Sequence, residues 1–317
     1  MSGTPSIDAQ LAAAYRLNAE IMELLGPPAP GLAGQREHAD RVRRWWNEGG
    51  PAMAREREFS IPTGRRELRA VAYEPAAAGQ AQPAYVYLHG GGFRMGSPRS
   101  NDRMLREIAE AWGGTVVSLD YVHVPEHVFP EAVEDTAAAY AWLHTHGGQL
   151  GIDGDRLAFG GSSAGANVAL GAAIHLGGCR RSYLRAGALV VGVYDQDDTT
   201  ESMQRFGGSG FFPTRAGAPQ TIEAYVPDPA LRDDPRVNCL RADMAILPPL
   251  FLAAAEMDVF RDSSRQLAAA MQRAGRGCEL VEYAGMGHLF TGYSRIVDGA
   301  RRCIADLADY LRRKLPA

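Results

Sequence analysis

Gly161-Ser162-Ser163-Ala164-Gly165 lies between the apolar segment Arg156-Leu157-Ala158-Phe159-Gly160 and an alanine-rich segment of helical composition, Asn167 to His175. A serine with glycines two residues before and two after, set between a strand and a helix, has a mechanical reading. The turn is too tight for side chains at the flanking positions, and it lifts the serine hydroxyl clear of a sheet. The pentapeptide alone is as easily a loop, because Gly, Ser and Ala are common in an alanine-rich chain. The flanking elements turn Ser163 into a candidate nucleophile.

Outward from this turn, short apolar runs alternate with helical segments. Tyr85 to Leu88 precedes a helix from Asp102 to Trp112, and Thr115 to Leu119 precedes Glu131 to His146. Leu157 to Phe159 precedes the helix after Ser163, Leu250 to Ala253 precedes Ser263 to Ala274, and Glu279 to Tyr283 precedes Ser294 to Leu315. Such alternation predicts an α/β fold with a mostly parallel eight-stranded sheet covered by helices on both faces. Glu58 to Ile61 and Glu67 to Tyr73 flank Pro62-Thr63-Gly64 and read as an antiparallel hairpin. Ala188 to Val193 opens an irregular stretch, about Asp195 to Asp243, rich in Gly, Pro and Asp and carrying Phe206, Phe211, Phe212 and Tyr225. A structureless loop of that length is uncommon in a compact domain, so a helical insertion is expected. Ile7, Leu11, Tyr15, Ile21, Met22 and Leu25 recur at near-helical spacing, and a second helix with Val42, Trp45 and Trp46 ends at Gly49-Gly50-Pro51. The expected organisation is therefore 1–55 as N-terminal helices contributing to a cap, 195–245 as a cap insertion, and 56–194 with 246–317 as the catalytic domain.

The composition is that of a soluble globular protein: 317 residues, 46% hydrophobic and 22% charged. A net charge of −4 gives no reason to expect nucleic acid as a partner. Lys314 is the one lysine, and the arginines are spread along the chain rather than clustered. Cys179, Cys239, Cys278 and Cys303 show neither metal-ligand spacing nor a CxxC pair, and read as reduced thiols of a cytoplasmic protein. No signal peptide is visible, and no stretch approaches the ~18 apolar residues needed to span a membrane. His144 and His146, two apart on a helix, point in different directions and make a poor metal pair.

Serine catalysis needs a base, a carboxylate that orients the base, and backbone donors where the carbonyl oxygen becomes an oxyanion. His288, in Gly285-Met286-Gly287-His288-Leu289-Phe290, follows the last strand-like run and is the candidate base; the other seven histidines lack such a position. Asp258, at the end of the run Ala253 to Met257, is the candidate acid, with Glu256 and Asp262 as rivals. Asp262 reads as the cap of the following helix. His89-Gly90-Gly91-Gly92-Phe93 directly follows the strand Tyr85 to Leu88, about seventy residues before the serine turn. Its glycines let N–H groups approach a substrate oxygen with no Cβ in the way. The amide of Ala164, at a helix start, is the third candidate donor. His89 itself reads as a structural hydrogen-bonding residue.

These motifs, with Asp120-Tyr121-Val122-His123-Val124-Pro125-Glu126-His127-Val128-Phe129-Pro130 and Asp233-Asp234-Pro235-Arg236-Val237, resemble the hormone-sensitive-lipase-like branch of the α/β-hydrolase esterases from about Phe59 to Leu311. The resemblance implies Ser163 as nucleophile, His288 as base, Asp258 as acid, and Gly91, Gly92 and Ala164 as oxyanion donors. It departs from the family pattern at Ser162, where an acidic residue is usual, at Val122-His123, at Val259-Phe260 and at Leu289. The implied activity is hydrolysis of short-chain acyl esters, acetyl for example, through an acyl-serine intermediate. Alternatives are acyl transfer or amide hydrolysis on the same residues, or a non-catalytic binding relative. A small-molecule ester is the expected partner; a homodimer is common in this family. No metal or organic cofactor is implied, and kcat/KM should rise with pH as the base histidine loses its proton.

Overall fold

Alternate residues of one strand show how the chain uses both faces of its sheet. In β3 (Gln82–Leu88), Val86 and Leu88 join one apolar cluster while Tyr85 and Tyr87 join the other, all of them fully buried. A strand buried on both faces reads as a continuous apolar run, because neither set of side chains meets water. The computed structural model describes residues 6–76, 81–177, 182–208 and 213–316; Cys179, Phe211 and Phe212 lie outside the described residues.

β1 (Arg55–Pro62) and β2 (Glu67–Glu74) form the expected hairpin, in register from Arg55↔Glu74 to Pro62↔Glu67. β4 (Thr115–Leu119), β5 (Ile152–Ser162), β6 (Leu184–Val190), β7 (Leu250–Ala255) and β8 (Cys278–Tyr283) complete an eight-stranded sheet in the order β1-β2-β4-β3-β5-β6-β7-β8. β1–β2 and β2–β4 are antiparallel and the other pairs parallel. The chain steps from β3 outward to β4 and then back to the far side of β3 for β5. The order thus reverses at β3, where an open α/β sheet leaves a crevice beyond its strand ends.

β5 is longer than the apolar run Leu157–Phe159 suggests. Gly160 and Gly161 continue its ladder opposite Tyr87 and Leu88, and a Cβ on Gly160 would lie 1.9 Å from the Ala188 carbonyl oxygen. β6 stops at Val190, and Val191 turns away with φ 43°. One face carries α4 (Glu131–His146), α5 (Ala164–His175) and α8 (Arg261–Arg273); the other carries α3 (Asp102–Trp112) and α9 (Asp298–Lys314), with α1 (Ala9–Leu25) and α2 (Gly31–Asn47) joining the same apolar cluster through α3 and the turn Phe290–Tyr293. α9 starts later than Ser294 because fully buried Val297 is held extended, so the chain reaches Asp298 through a short 3₁₀ turn, Phe290–Tyr293, and an irregular corner. Within 195–245 lie α6 (Glu201–Phe206), α7 (Gly217–Tyr225) and short 3₁₀ turns. Asp8 caps α1, accepting from Gln10 N at 2.8 Å and Leu11 N at 3.1 Å. No described helix is long and apolar enough to cross a membrane.

Candidate active site

Ser163 occupies the turn between β5 and α5 with φ 54° and ψ −121°, a conformation a non-glycine residue holds only when its surroundings enforce it. The surroundings are backbone. A Cβ on Gly161 would lie 2.4 Å from the Leu88 oxygen, and one on Gly165 2.2 Å from the same oxygen. The Ser163 amide donates to Val190 O at 2.9 Å, pinning the turn to β6. Ser162 faces the other way, its hydroxyl 2.8 Å from that of Tyr87.

Tertiary structure brings His288 and Asp258 to this serine. His288 Nε2 is 2.7 Å from Ser163 Oγ, and Nδ1 is 2.8 Å from Asp258 Oδ2. A carboxylate only accepts, so Nδ1 carries the proton and Nε2 offers a lone pair to the serine hydroxyl. Both His288 and Asp258 are buried, and Asp258 Oδ1 accepts from the Phe260 amide at 3.0 Å, which fixes the carboxylate's plane. The rivals are engaged elsewhere. Glu256 accepts from Gly285 N at 2.7 Å. Asp262 does not cap α8, whose N-cap is Phe260; it sits in the first turn, accepts from Ser202 N at 2.8 Å, and pairs with Arg261 and Arg265. Holding the start of α6 is the use this carboxylate finds.

The loop after β3 folds against the serine turn. A Cβ on Gly90 would lie 3.2 Å from Ser162 Oγ and 3.4 Å from Ser163 Cβ. Gly91 adopts φ 134°, and a Cβ there would be 2.0 Å from Met95 O; Gly92 has φ 60°. Arg94 N and Met95 N both donate to Gly91 O, closing the turn at 3.2 and 3.0 Å. The amides of Gly91, Gly92 and Ala164 have no acceptor among the described residues. Such N–H groups near a serine, one at a helix N-terminus, can receive a developing negative oxygen. His89 is fully buried, stacks on Tyr121 at 4.8 Å, and takes the Tyr121 hydroxyl on its carbonyl at 3.2 Å. Burial, with His89 adding, pushes nearby His123 down to about 4.

The hydrogen-bonded row Asp258–His288–Ser163 lies at the C-terminal edge of a doubly covered sheet, and the model of the alpha/beta hydrolase fold family matches residues 85–292. The chain belongs to the α/β-hydrolase family. It is similar to an acetyl esterase of Salmonella choleraesuis (strain SC-B67), 32% identical over 295 residues, covering 91% of this chain and 89% of the relative. Among solved structures it is similar to a thermophilic, thermostable carboxylesterase cloned from a metagenomic library, with TM-score 0.86, 30% identity, and 91% and 99% of the two chains covered. A hyperthermophilic esterase from the archaeon Pyrobaculum calidifontis matches with TM-score 0.88, 28% identity, and 97% and 98% covered.

Above Ser163 and His288 this α/β-hydrolase has a cavity of about 980 Å³. Its walls include Asn18 and Met22 of α1, Arg43 of α2, Met203 of α6 and Ile222 of α7. Several contributors carry no signal in the sequence. Arg43 donates to Ser100 O at 3.0 Å and Gly292 O at 3.2 Å, buttressing the segment after His288. Asp8 N donates to Gly285 O at 2.9 Å, and Tyr15 lies edge-on to Tyr293 at 5.7 Å, so α1 rests on the loop that holds His288. Arg36 of α2 donates to Arg94 O at 2.8 Å and Val124 O at 2.9 Å. Arginines and tyrosines in an amphipathic helix read as solvated face or core; only the packed chain shows what they hold.

Proposed function

We propose that this protein hydrolyses carboxylic esters of short acyl groups, acetyl esters foremost, with Ser163 as nucleophile, His288 as base, Asp258 as orienting acid, and Gly91, Gly92 and Ala164 as oxyanion donors. The protein is a serine ester hydrolase; the acyl length and the residue roles are our reading. One observation carries it: the unbroken chain from Asp258 Oδ2 to His288 Nδ1 and from His288 Nε2 to Ser163 Oγ, at 2.8 and 2.7 Å.

His288 Nε2 takes the proton as Ser163 Oγ attacks the ester carbonyl, and the imidazolium is stabilised by Asp258. The carbonyl oxygen gains charge as it becomes tetrahedral, and the three amides receive it. His288 then protonates the leaving alcohol, and the acyl group stays on Ser163. Water, deprotonated by the same nitrogen, releases the acid. The name of the Salmonella relatives supports acetyl, and the cavity's remaining room is assigned to the alcohol part.

We assign residues 1–55 and 195–245 to the cap and 56–194 with 246–317 to the catalytic domain, a division supported by the cavity walls drawn from α1, α2, α6 and α7. We place the protein in the cytoplasm, where its free cysteines Cys239, Cys278 and Cys303 stay reduced. A homodimer through the open edge of β8 is the assembly we favour, and light scattering tests it. The central experiment measures chromogenic esters from two to twelve carbons alongside fluorophosphonate labelling. Labelling at Ser163, loss of turnover in Ser163→Ala and a maximum at the shortest acyl groups are expected. Full turnover in Ser163→Ala would sink the roles, and a maximum at long chains would sink the acyl assignment.

A further inference from the structure

We propose that His89, Asp120 and His123 form a binding site for a transition-metal dication of the zinc type, at the foot of the loop that carries Gly91 and Gly92. One ligand atom from each lies within 4.8 Å of the other two, and among the described residues no other three His, Cys, Asp or Glu side chains converge in this way.

The sheet itself makes the juxtaposition. Leu88 and Leu119 are paired in the parallel ladder of β3 and β4, so His89 and Asp120 leave the sheet side by side. The chain then turns after Tyr121 and lays His123 across the pair, with ring centroids 5.2 Å from His89 and 4.9 Å from Tyr121.

The hydrogen bonding of this cluster is incomplete in a way that points to a cation. His89 Nδ1 is 2.9 Å from Gly90 O. A carbonyl only accepts, so Nδ1 carries a proton, and in the neutral form of the ring the lone pair is the one at Nε2. That Nε2 is buried without a hydrogen-bond partner, and so is Nε2 of His123. Asp120 Oδ1 lies 3.8 Å from His89 Nε2, beyond hydrogen-bond length. Asp120 Oδ2 is committed to Arg69, at 3.0 Å from Nε and 2.7 Å from Nη2. Buried polar atoms left unpaired are costly, and here two imidazole nitrogens, His89 Nε2 and His123 Nε2, lie buried without a partner beside the Asp120 carboxylate.

Two imidazoles and one carboxylate are the ligand set of an open zinc site, and imidazole equally suits copper and nickel. The outer contacts are those such ligands use: a backbone carbonyl behind His89 and a guanidinium behind Asp120. Zinc holds these ligands at about 2.0–2.2 Å, so the side chains of Asp120 and His123 must draw in toward fully buried His89. Asp120 is partly exposed, which leaves a side for water to complete the shell. The fixed charges around the cluster are mixed, with Arg69, Arg36, Asp40 and Glu126 all near it. No step of ester hydrolysis passes through the site; the ion would tie the loop after β3 to the end of β4.

Tag-free, chelator-stripped protein is titrated with zinc by calorimetry at neutral pH, and its unfolding midpoint is recorded with and without the ion. One zinc per chain and a raised midpoint are expected, because a ligand that binds the folded state stabilises it. His123→Leu and His123→Gln should each weaken zinc binding by roughly tenfold or more, while His144→Asn binds like the parent. Fluorophosphonate labelling identifies which of the two His123 variants is folded, and that variant decides. No one-to-one site in the parent, or parent-like zinc affinity in a folded His123 variant, overturns the proposal.

Discussion

The hydroxyl of Tyr15 lies so close to Gly287 that a Cβ on that glycine would sit 2.7 Å from it. Gly287 immediately precedes His288, so a helix near the start of the chain packs against the segment that holds His288. Gly287→Ala forces either the Tyr15 side chain or the loop to shift, and a loop displaced by about 1 Å should lower kcat/KM by about 10- to 100-fold. Tyr15→Phe removes the colliding oxygen. The double variant should recover part of the loss, and a thermodynamic cycle on kcat/KM measures the coupling. Additive losses would mean that the two residues do not restrain each other.

The serine turn makes a second prediction about stability. A Cβ on Gly165 would lie 2.2 Å from Leu88 O and 2.3 Å from His89 O, and backbone cannot move aside as a side chain does. Gly165→Ala should cost about 1–3 kcal/mol in a denaturant titration and remove most turnover. Gly148→Ala, where no atom lies within 4 Å, is the control and should be near neutral.

Asp258→Asn keeps the side chain's size and its bond from the Phe260 amide but presents no carboxylate to His288. The imidazole then loses its preferred tautomer and the stabilisation of its charged form. Turnover should fall on the order of 10⁴-fold, with KM little changed and fluorophosphonate labelling slowed in parallel.

Glu126 gives a pH prediction on stability. The Arg36 hydrogen bonds, at 2.7 and 2.8 Å, hold its carboxyl down to about 2 from an ordinary 4.5. A depressed folded pKa stabilises above the unfolded value and loses that effect as pH falls through the folded one. The pair's contribution is thus complete above about pH 4.5 and gone near pH 2. Glu126 is half exposed, so the contribution is no more than about 1 kcal/mol. Urea melts of the parent and Glu126→Gln should differ by that amount at neutral pH and converge as the solution is acidified. A difference that persists at pH 2 would contradict the ion-pair origin.

Local pattern made much of the molecule legible. Apolar runs such as Tyr85 to Leu88, with both faces buried, mark a parallel strand because burial removes any alternation. Gly161 and Gly165 mark the serine turn because no other residue fits against Leu88 O, and Gly91 marks the next loop because a Cβ would strike Met95 O. An aspartate near a helix start looks like a cap, but Asp262 sits inside the first turn of α8, and only the approach of Ser202 shows its use. The boundaries of β5, β6 and α9 shifted for the same reason: a ladder partner or a buried valine overrode local preference.

The sequence by itself determined the alternating α/β architecture, the serine turn, the glycine loop and the short list from which an acid and a base could come. Those features are local, because steric fit and burial period act over a few neighbouring residues. The tertiary structure alone decided that Asp258 rather than Glu256 or Asp262 meets His288, that α1 bears on the His288 loop through Tyr15, and that His123 joins His89 and Asp120. Each of these joins residues by the pairing of parallel strands distant in sequence, β7 with β8 and β3 with β4, or by a helix folding back over the sheet. Contact across such distances depends on how elements pack, which spacing along the chain does not encode.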